Sequence, residues 1–302
     1  MRALHAEHAI CAVLTSPDRP AGRGRGVIAS PVKQVALELG LALLQPDRLD
    51  GTSRKAVAAL LPDLLVVVAY GHIFGPKFLA LFPKGAINLH PSLLPRHRGP
   101  SPIAAAILAG DAQTGITVQR LALEVDAGPI LKTVAIPLTG RETTSSLSET
   151  VAREGAALLA EVCREIDRLS PIPQDDAMAT YSRLLTKEDG LVDWRRSAEE
   201  IDRMVRAYTP WPHARTTFRG SELLLLEASP ARGSAAAGGI PEASETPGRV
   251  VGIDTREGIL VQTGSGVLGV RMLQLPSKKP LHWKDFMNGV RDLAGSTFGG
   301  PR

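Results

Sequence analysis

Asp63-Leu64-Leu65-Val66-Val67-Val68-Ala69-Tyr70 is apolar almost from end to end, and this run narrows the choice of fold more than any other part of the chain. A half-buried strand alternates apolar and polar residues. A strand of a parallel sheet covered on both faces reads instead as one continuous apolar stretch. Ala9 to Leu14 and Ala86 to Leu89 are further apolar runs, and residues 8 to 186 alternate strand with helix. The helices have clear stops. Pro31 with Gly40, and Ser101-Pro102 with Gly110, follow the proline-first, glycine-last asymmetry of helix ends. Ser146-Leu147-Ser148-Glu149 fits a capping box that opens a longer helix, with an apolar stripe through Val151, Leu158, Leu159, Val162 and Ile166. The expected fold is α/β, with a Rossmann-like doubly wound sheet in the first part of the chain.

After Pro212 the pattern changes to short apolar runs separated by turn signals: Glu222 to Glu227, Gly248 to Ile253, Gly258 to Thr263 and Val267 to Leu275. Such spacing predicts a small β-barrel. At 302 residues the chain is long enough for two cores. The expected organisation is a catalytic domain over 1–186, a linker with an entry helix over 187–212, and the barrel over 213–302. Residues 231–247, rich in Ala, Gly, Ser, Pro and Glu, read as a mobile loop between barrel strands.

The chemistry concentrates in Asn88-Leu89-His90-Pro91-Ser92-Leu93-Leu94-Pro95 and in Asp126 of Val125-Asp126-Ala127-Gly128. Asn88 and His90 stand at i and i+2 of a short strand, so their side chains share a face. They lie at its carboxyl end, where open α/β sheets bind ligands. A neutral amide can hold negative charge developing on an oxygen, and an imidazole can carry a proton near neutral pH. A carboxylate fixes the tautomer of that imidazole and favours its charged form. Together they suit transfer of an acyl-type group to an amine. Each residue alone also has a plain structural explanation: Asn88 as a turn cap, His90 as an interior histidine, Asp126 as a turn residue. Neither His-x-x-x-His nor Cys-x-x-Cys spacing occurs, so no metal is expected.

The stretch from Ala86 to Leu131 resembles the core of the folate-dependent formyltransferases. That resemblance implies that Asn88, His90 and Asp126 are catalytic, that Ser92, Leu93, Leu94 and Pro95 contact 10-formyltetrahydrofolate, and that the co-substrate is the formyl donor. Members of the family act on a ribonucleotide amine, amino sugars, water or methionyl-tRNA, and the shared core does not separate them. Ser16-Pro17-Asp18-Arg19-Pro20-Ala21-Gly22-Arg23-Gly24-Arg25-Gly26, followed by Ser30-Pro31-Val32-Lys33, resembles the basic loop of the methionyl-tRNA-formylating members. Glycine frees the backbone, and arginine pairs with phosphate and stacks on bases. The bland alternative is a solvated loop.

Leu191-Val192-Asp193-Trp194, Ile201 to Arg206 and Tyr208-Thr209-Pro210-Trp211-Pro212 are similar to the entry into that group's C-terminal tRNA-binding domain, so the resemblance implies an oligonucleotide-binding (OB-like) fold there. The implied acceptor is the α-amino group of methionine on initiator tRNA, in translation initiation, and the implied tRNA contacts are Arg19, Arg23, Arg25, Arg96, Arg98, Lys278 and Lys279. An aromatic residue is usual in that group where His97 stands here. The alternatives are a sugar-nucleotide N-formyltransferase, which has no use for the Arg19–Arg25 loop, and a non-catalytic RNA-binding remnant.

A net charge of +4 comes from 35 basic and 31 acidic residues, so RNA binding would rest on local patches rather than on the total. Two cysteines, Cys11 and Cys163, are too few for a disulfide framework, which points to the cytoplasm. No run approaches the ~20 apolar residues of a membrane span. A monomer is expected. Met1 to His8 reads as the end of a helix, whereas the resemblance implies a first, central strand before it. A start about two dozen residues upstream is therefore expected, the alternative being a sheet that closes without that strand.

Overall fold

The structure, a computed structural model, describes residues 1–21, 26–231, 246–290 and 292–299, and the backbone alone of 19–21 and 26–28. It forms two compact units. The first comprises Met1–Pro102, Gln113–Pro137 and Glu149–Ser182; the second comprises Ile103–Ala112, Leu138–Ser148 and Arg183–Arg302.

The strands of the first unit are β1 (Val13–Leu14), β2 (Arg19–Ala21), β3 (Gly26–Ile28), β4 (Leu43–Leu44), β5 (Leu65–Val68), β6 (Ala86–His90), β7 (Gln113–Arg120) and β8 (Ile130–Pro137). β5 and β6 are parallel, as the apolar runs predict, while β7 and β8 are added antiparallel in the order β5-β6-β7-β8; β5 stands at the end of this ladder and is not covered on both faces, its Val68 being exposed. β1 and β4 form a separate parallel pair. One continuous doubly wound sheet was expected; among the described residues the strands fall into two ladders, because β1 and β5 share no pairing. Side-chain packing nevertheless spans them. Val57, Val67, Phe74, Phe78 and Phe82 form a buried cluster against which Leu14, Leu44 and Leu65 pack. Tyr70, Phe74, Phe78 and Phe82 follow one another with ring centroids 5.5, 5.2 and 5.9 Å apart, inside the range in which aromatic pairs attract.

The helices follow their sequence signals. Pro31–Glu38 is capped by Ser30, whose hydroxyl accepts from the Lys33 N–H, and Pro102–Ala109 ends before Gly110 at φ +69°. The long helix opens earlier than the Ser146 box implies, at Thr144. Thr143 is the effective cap: its hydroxyl accepts from Ser146 N–H, and the Ser146 hydroxyl accepts from Thr143 N–H. Its apolar stripe is buried throughout. Gly155 lets this helix approach β6, since a Cβ there would lie 2.8 Å from a methyl of Leu89.

In the second unit β9 (Ala214–Phe218), β10 (Ser221–Pro230), β11 (Val250–Asp254), β12 (Gly258–Gln262), β13 (Val267–Gln274) and β14 (Leu281–His282) make one antiparallel sheet, ordered β11-β12-β13-β10-β9 with β14 beside β13. The expected barrel is open: among the described residues no ladder joins β11 to β9. Leu223, Leu225, Ile259, Val261, Leu268, Val270 and Leu273 are buried, and Phe218, Phe286, Phe298 and Trp194 form an aromatic group at one side. The Ala198–Ala207 helix begins with a capping box between Ser197 and Glu200. It also gathers two earlier segments: Arg203 Nε donates to Leu108 O at 3.1 Å, and Arg206 Nη1 to Glu142 O at 3.1 Å. No helix of the described residues is long and apolar enough to cross a membrane.

Candidate active site

β6 carries the centre of the site. Its register sets Asn88 opposite Gln119 and His90 opposite Thr117 on β7, with Val67 and Val68 of β5 on the other side. Directly paired residues point to the same face, so Asn88, His90, Gln119 and Thr117 form one polar patch on an otherwise apolar sheet. Gln119 and Thr117 are at most 2% exposed.

Asp126 enters from the turn between β7 and β8. Its backbone is left-handed, at φ +53°, an uncommon conformation that aspartate tolerates better than most residues. Gly128 makes the turn possible: a Cβ there would sit 1.8 Å from Arg120 O, so only glycine lets the chain close against β7. Asp126 Oδ1 then lies 3.4 Å from Asn88 Nδ2, 3.4 Å from His90 Nδ1 and 3.1 Å from Gln119 Nε2, while Oδ2 accepts from Gly99 N–H at 2.8 Å. The three residues singled out by the sequence therefore meet at one carboxylate.

His90 is buried, and its Nε2 lies 2.9 Å from the carbonyl of His97. A carbonyl only accepts, so Nε2 carries the hydrogen and Nδ1 faces Asp126. Burial holds the imidazole below its ordinary pKa, with Asp126 opposing that shift. The neutral ring is thus a base whose open nitrogen is Nδ1.

The loop after β6 turns inward. Ser92 is fully buried and donates to Arg96 O at 2.6 Å; Thr117 Oγ1 donates to Ser92 O at 2.7 Å and accepts from Leu94 N–H at 3.2 Å. Leu94 is buried, and Leu93 packs against Gly115, where a Cβ would be 2.4 Å from its methyl. The Leu94–Pro95 peptide is cis. Ser92 and Leu94 thus hold the loop down, leaving Leu93 and Pro95 half-buried. A segment over 172–182 straps the same loop: Thr180 N–H donates to Pro95 O at 3.2 Å, and His97 N–H donates to Thr180 Oγ1 at 2.9 Å.

The basic residues separate. Arg23 and Arg25 lie outside the described residues, and Arg19 is described only as backbone of β2. What the Arg/Gly pattern marks as a loop is flanked by a short hairpin, β2 against β3. Arg96 is exposed, as are Lys278 and Lys279 in the second unit. Arg98 departs from the expected basic rim. It is 2% exposed, with its guanidinium on Gln174 Oε1 (3.1 and 2.8 Å), Asp176 Oδ1 (2.7 Å) and Tyr181 OH (3.1 Å). Its charge is spent inside the protein. His97 too is buried, at φ +56°. An open groove of about 430 Å³ beside Leu14, Leu44, Asp47 and Asp50 includes none of these residues.

Sequence reasoning missed Gln119, Thr117 and Gln174. The first two had a readable signal, two polar residues at i and i+2 in an apolar strand; Gln174 had none.

The comparisons agree along the chain. The family described as formyl transferase matches residues 1–163, and its C-terminal domain matches 184–291. The methionyl-tRNA formyltransferase of Treponema denticola is 44% identical over 97% of this chain and 93% of its own length; that of Pseudomonas paraeruginosa is 42% identical over 98% and 94%. Among solved structures, the N-formyltransferase of Helicobacter canadensis in complex with folinic acid and dTDP-3-aminofucose has a TM-score of 0.62 at 13% identity, covering 89% of this chain and 93% of that one. HypX of Aquifex aeolicus in complex with tetrahydrofolic acid has a TM-score of 0.56 at 19% identity, covering 88% of this chain and 47% of that one. At such identities these two speak for the fold alone. With both family domains matched and a likeness to its relatives that runs nearly full length, the chain belongs to the formyl transferase family, among the methionyl-tRNA formyltransferases.

Proposed function

We propose that the chain transfers a formyl group from 10-formyltetrahydrofolate to the α-amino group of methionyl initiator tRNA. The observation that carries this is the convergence of Asn88 and His90 on one carboxylate oxygen of Asp126, in a chain of this family.

The co-substrate supplies the formyl carbon. As the amine nitrogen bonds to it, charge builds on the formyl oxygen. Asn88 presents a neutral amide donor beside Asp126, suited to holding that charge. His90, buried and neutral, takes the proton the amine must lose, at Nδ1, because Nε2 is committed to the His97 carbonyl. Asp126 lies 3.4 Å from that nitrogen and stabilises the imidazolium that forms. The C–N bond to the donor then breaks, and the proton held by His90 is available to the departing folate nitrogen, so His90 ends neutral again. Leu93 and Pro95, held by the buried Ser92 and Leu94, are proposed to border the folate. Arg96, Arg19, Arg23 and Arg25 of the Arg/Gly segment, and Lys278-Lys279 are proposed to meet the tRNA; Arg98 is left out because its guanidinium is buried and paired. A monomer acting in the cytoplasm is part of this proposal.

The test is formyl transfer to methionyl initiator tRNA by the purified chain, resolved on acid gels. Formylated product is expected. A folded protein that binds folate and formylates an amino-sugar nucleotide while ignoring the tRNA would overturn the acceptor. RNA binding without folate binding would overturn the enzyme.

A further inference from the structure

We propose that Gln119 and Gln174 are positioning residues for this reaction, an uncharged relay that sets how much of the Asp126 charge is available to His90. The inference rests on the reading of Asn88, His90 and Asp126 as the formyl-transfer site.

Three donors or potential donors surround Asp126 Oδ1, and Gln119 Nε2, at 3.1 Å, is nearer than Asn88 Nδ2 or His90 Nδ1, each at 3.4 Å. A side-chain amide can present either end to a neighbour, and here the choice is made for it. Arg98 has donors and no acceptor. It donates twice to Gln174 Oε1, which leaves Gln174 Nε2 to face acceptors. Those acceptors are Asp126 O at 2.8 Å, Gly128 O at 2.7 Å and Gln119 Oε1 at 3.1 Å. Gln174 Nε2 has two hydrogens for these three acceptors, so Gln119 Oε1, the farthest, shares one with a backbone carbonyl; because Asp126 Oδ1 only accepts, Gln119 turns Nε2 to it and leaves Oε1 toward Gln174. One buried cation, anchored by Asp176 and Tyr181, thereby fixes the Gln174 amide, which holds the backbone of the Asp126 turn and touches Gln119.

A hydrogen bond to a carboxylate stabilises the anion and weakens its pull on a neighbouring proton. Gln119 therefore tempers the stabilisation of the His90 cation by Asp126, so that His90 releases its proton as readily as it takes it. The titratable and charged groups facing the pair among the described residues come from three places. His90 faces Asp126 from the β7–β8 turn and His97 from the loop after β6; Asp126 faces the uncharged Asn88 and Gln119 and the Gly99 amide. Arg98, Asp176 and Tyr181 stand behind Gln174.

The experiment follows the His90 imidazole by NMR in the full chain with labelled histidine, the seven histidines being sorted with His90→Gln. Gln119→Met fills similar space and cannot donate. It should raise the apparent pKa of His90 by roughly half a unit to one unit, and should move nothing in an Asp126→Asn background. Gln119→Glu, which adds a second carboxylate, should raise it further. In the transfer assay Gln119→Met should lower kcat about tenfold and move the acid limb up in pH, with KM for folate and tRNA within about twofold of the parent. A His90 titration unmoved in both Gln119 variants, or a Gln119→Met shift that persists without the Asp126 charge, would overturn the relay. The titration needs no turnover: a parent chain that transfers no formyl group, yet whose His90 responds as described, would sink the functional reading and leave the relay standing.

Discussion

At the scale of single residues, the proposed site divides into Asn88 and His90, assigned to the reacting atoms, and the groups that hold them. Asn88→Ala removes the amide proposed to take up charge on the formyl oxygen, and kcat should fall about a hundredfold or more with KM little changed; rapid-quench single-turnover assays decide this, and an unchanged chemical step removes Asn88 from the mechanism. Asp126→Asn takes away the charge that raises the His90 pKa against burial. The acid limb of kcat/KM should therefore move to lower pH while kcat drops, and an unmoved limb would show that the two residues do not communicate. Arg98 is the opposite kind of residue. Arg98→Met leaves Gln174 and Tyr181 without their partner and should cost about 2 kcal/mol in a urea titration. The salt dependence of tRNA binding should not change, because a buried guanidinium releases no counterion. Loss of tRNA affinity at full stability would return Arg98 to the rim. That Asn88, His90 and Asp126 would come together was legible because each is a residue type with specific chemistry at a strand end or turn, and the structure does bring them together. Gln119, Thr117 and Gln174 were not singled out, because their meaning lies in a register and a strap that join distant parts of the chain.

At the scale of elements, β6 and the β7–β8 turn do the positioning. The apolar runs and the proline and glycine stops marked β5, β6 and several helices closely. β8 and β9 went unread: β8 carries lysine and threonine among its apolar residues, and β9 reads Ala-Arg-Thr-Thr-Phe. Such strands owe their place to partners already laid down. The turn depends on Gly128. Gly128→Ala forces the turn away from Arg120, which should displace Asp126 and lower kcat about a hundredfold while far-ultraviolet circular dichroism stays that of the parent. Full activity in this variant would mean that Asp126 needs no such placement.

At the scale of the whole molecule, stability should respond to acid in two windows. Burial depresses the pKa of His90 and of His213, so the unfolded chain binds more protons than the native one as pH falls through the ordinary histidine range, and stability is lost from about pH 6.5 downward. Asp189 is held at about 2 by Arg183 and by Thr186. Its contribution is complete above the ordinary carboxylate pKa and disappears as pH falls toward 2. Asp189→Asn should destabilise by about 1 kcal/mol near neutral pH, and the difference should close in acid; Tm measured at several pH values checks both windows, and a gap that stays constant with pH would show that the Asp189 charge is not what stabilises. Residue chemistry and local periodicity, readable from sequence alone, determined the α/β start, the β-rich end and several helix ends, because each depends on neighbours a few positions away, and they singled out Asn88, His90 and Asp126 by residue type. Tertiary structure alone decided that Arg98 is a buried anchor, that no ladder among the described residues closes the second sheet, and that Gln119 and Gln174 stand behind the carboxylate. Burial and hydrogen-bond partnership are set by which distant segments pack together, and no local pattern carries that information.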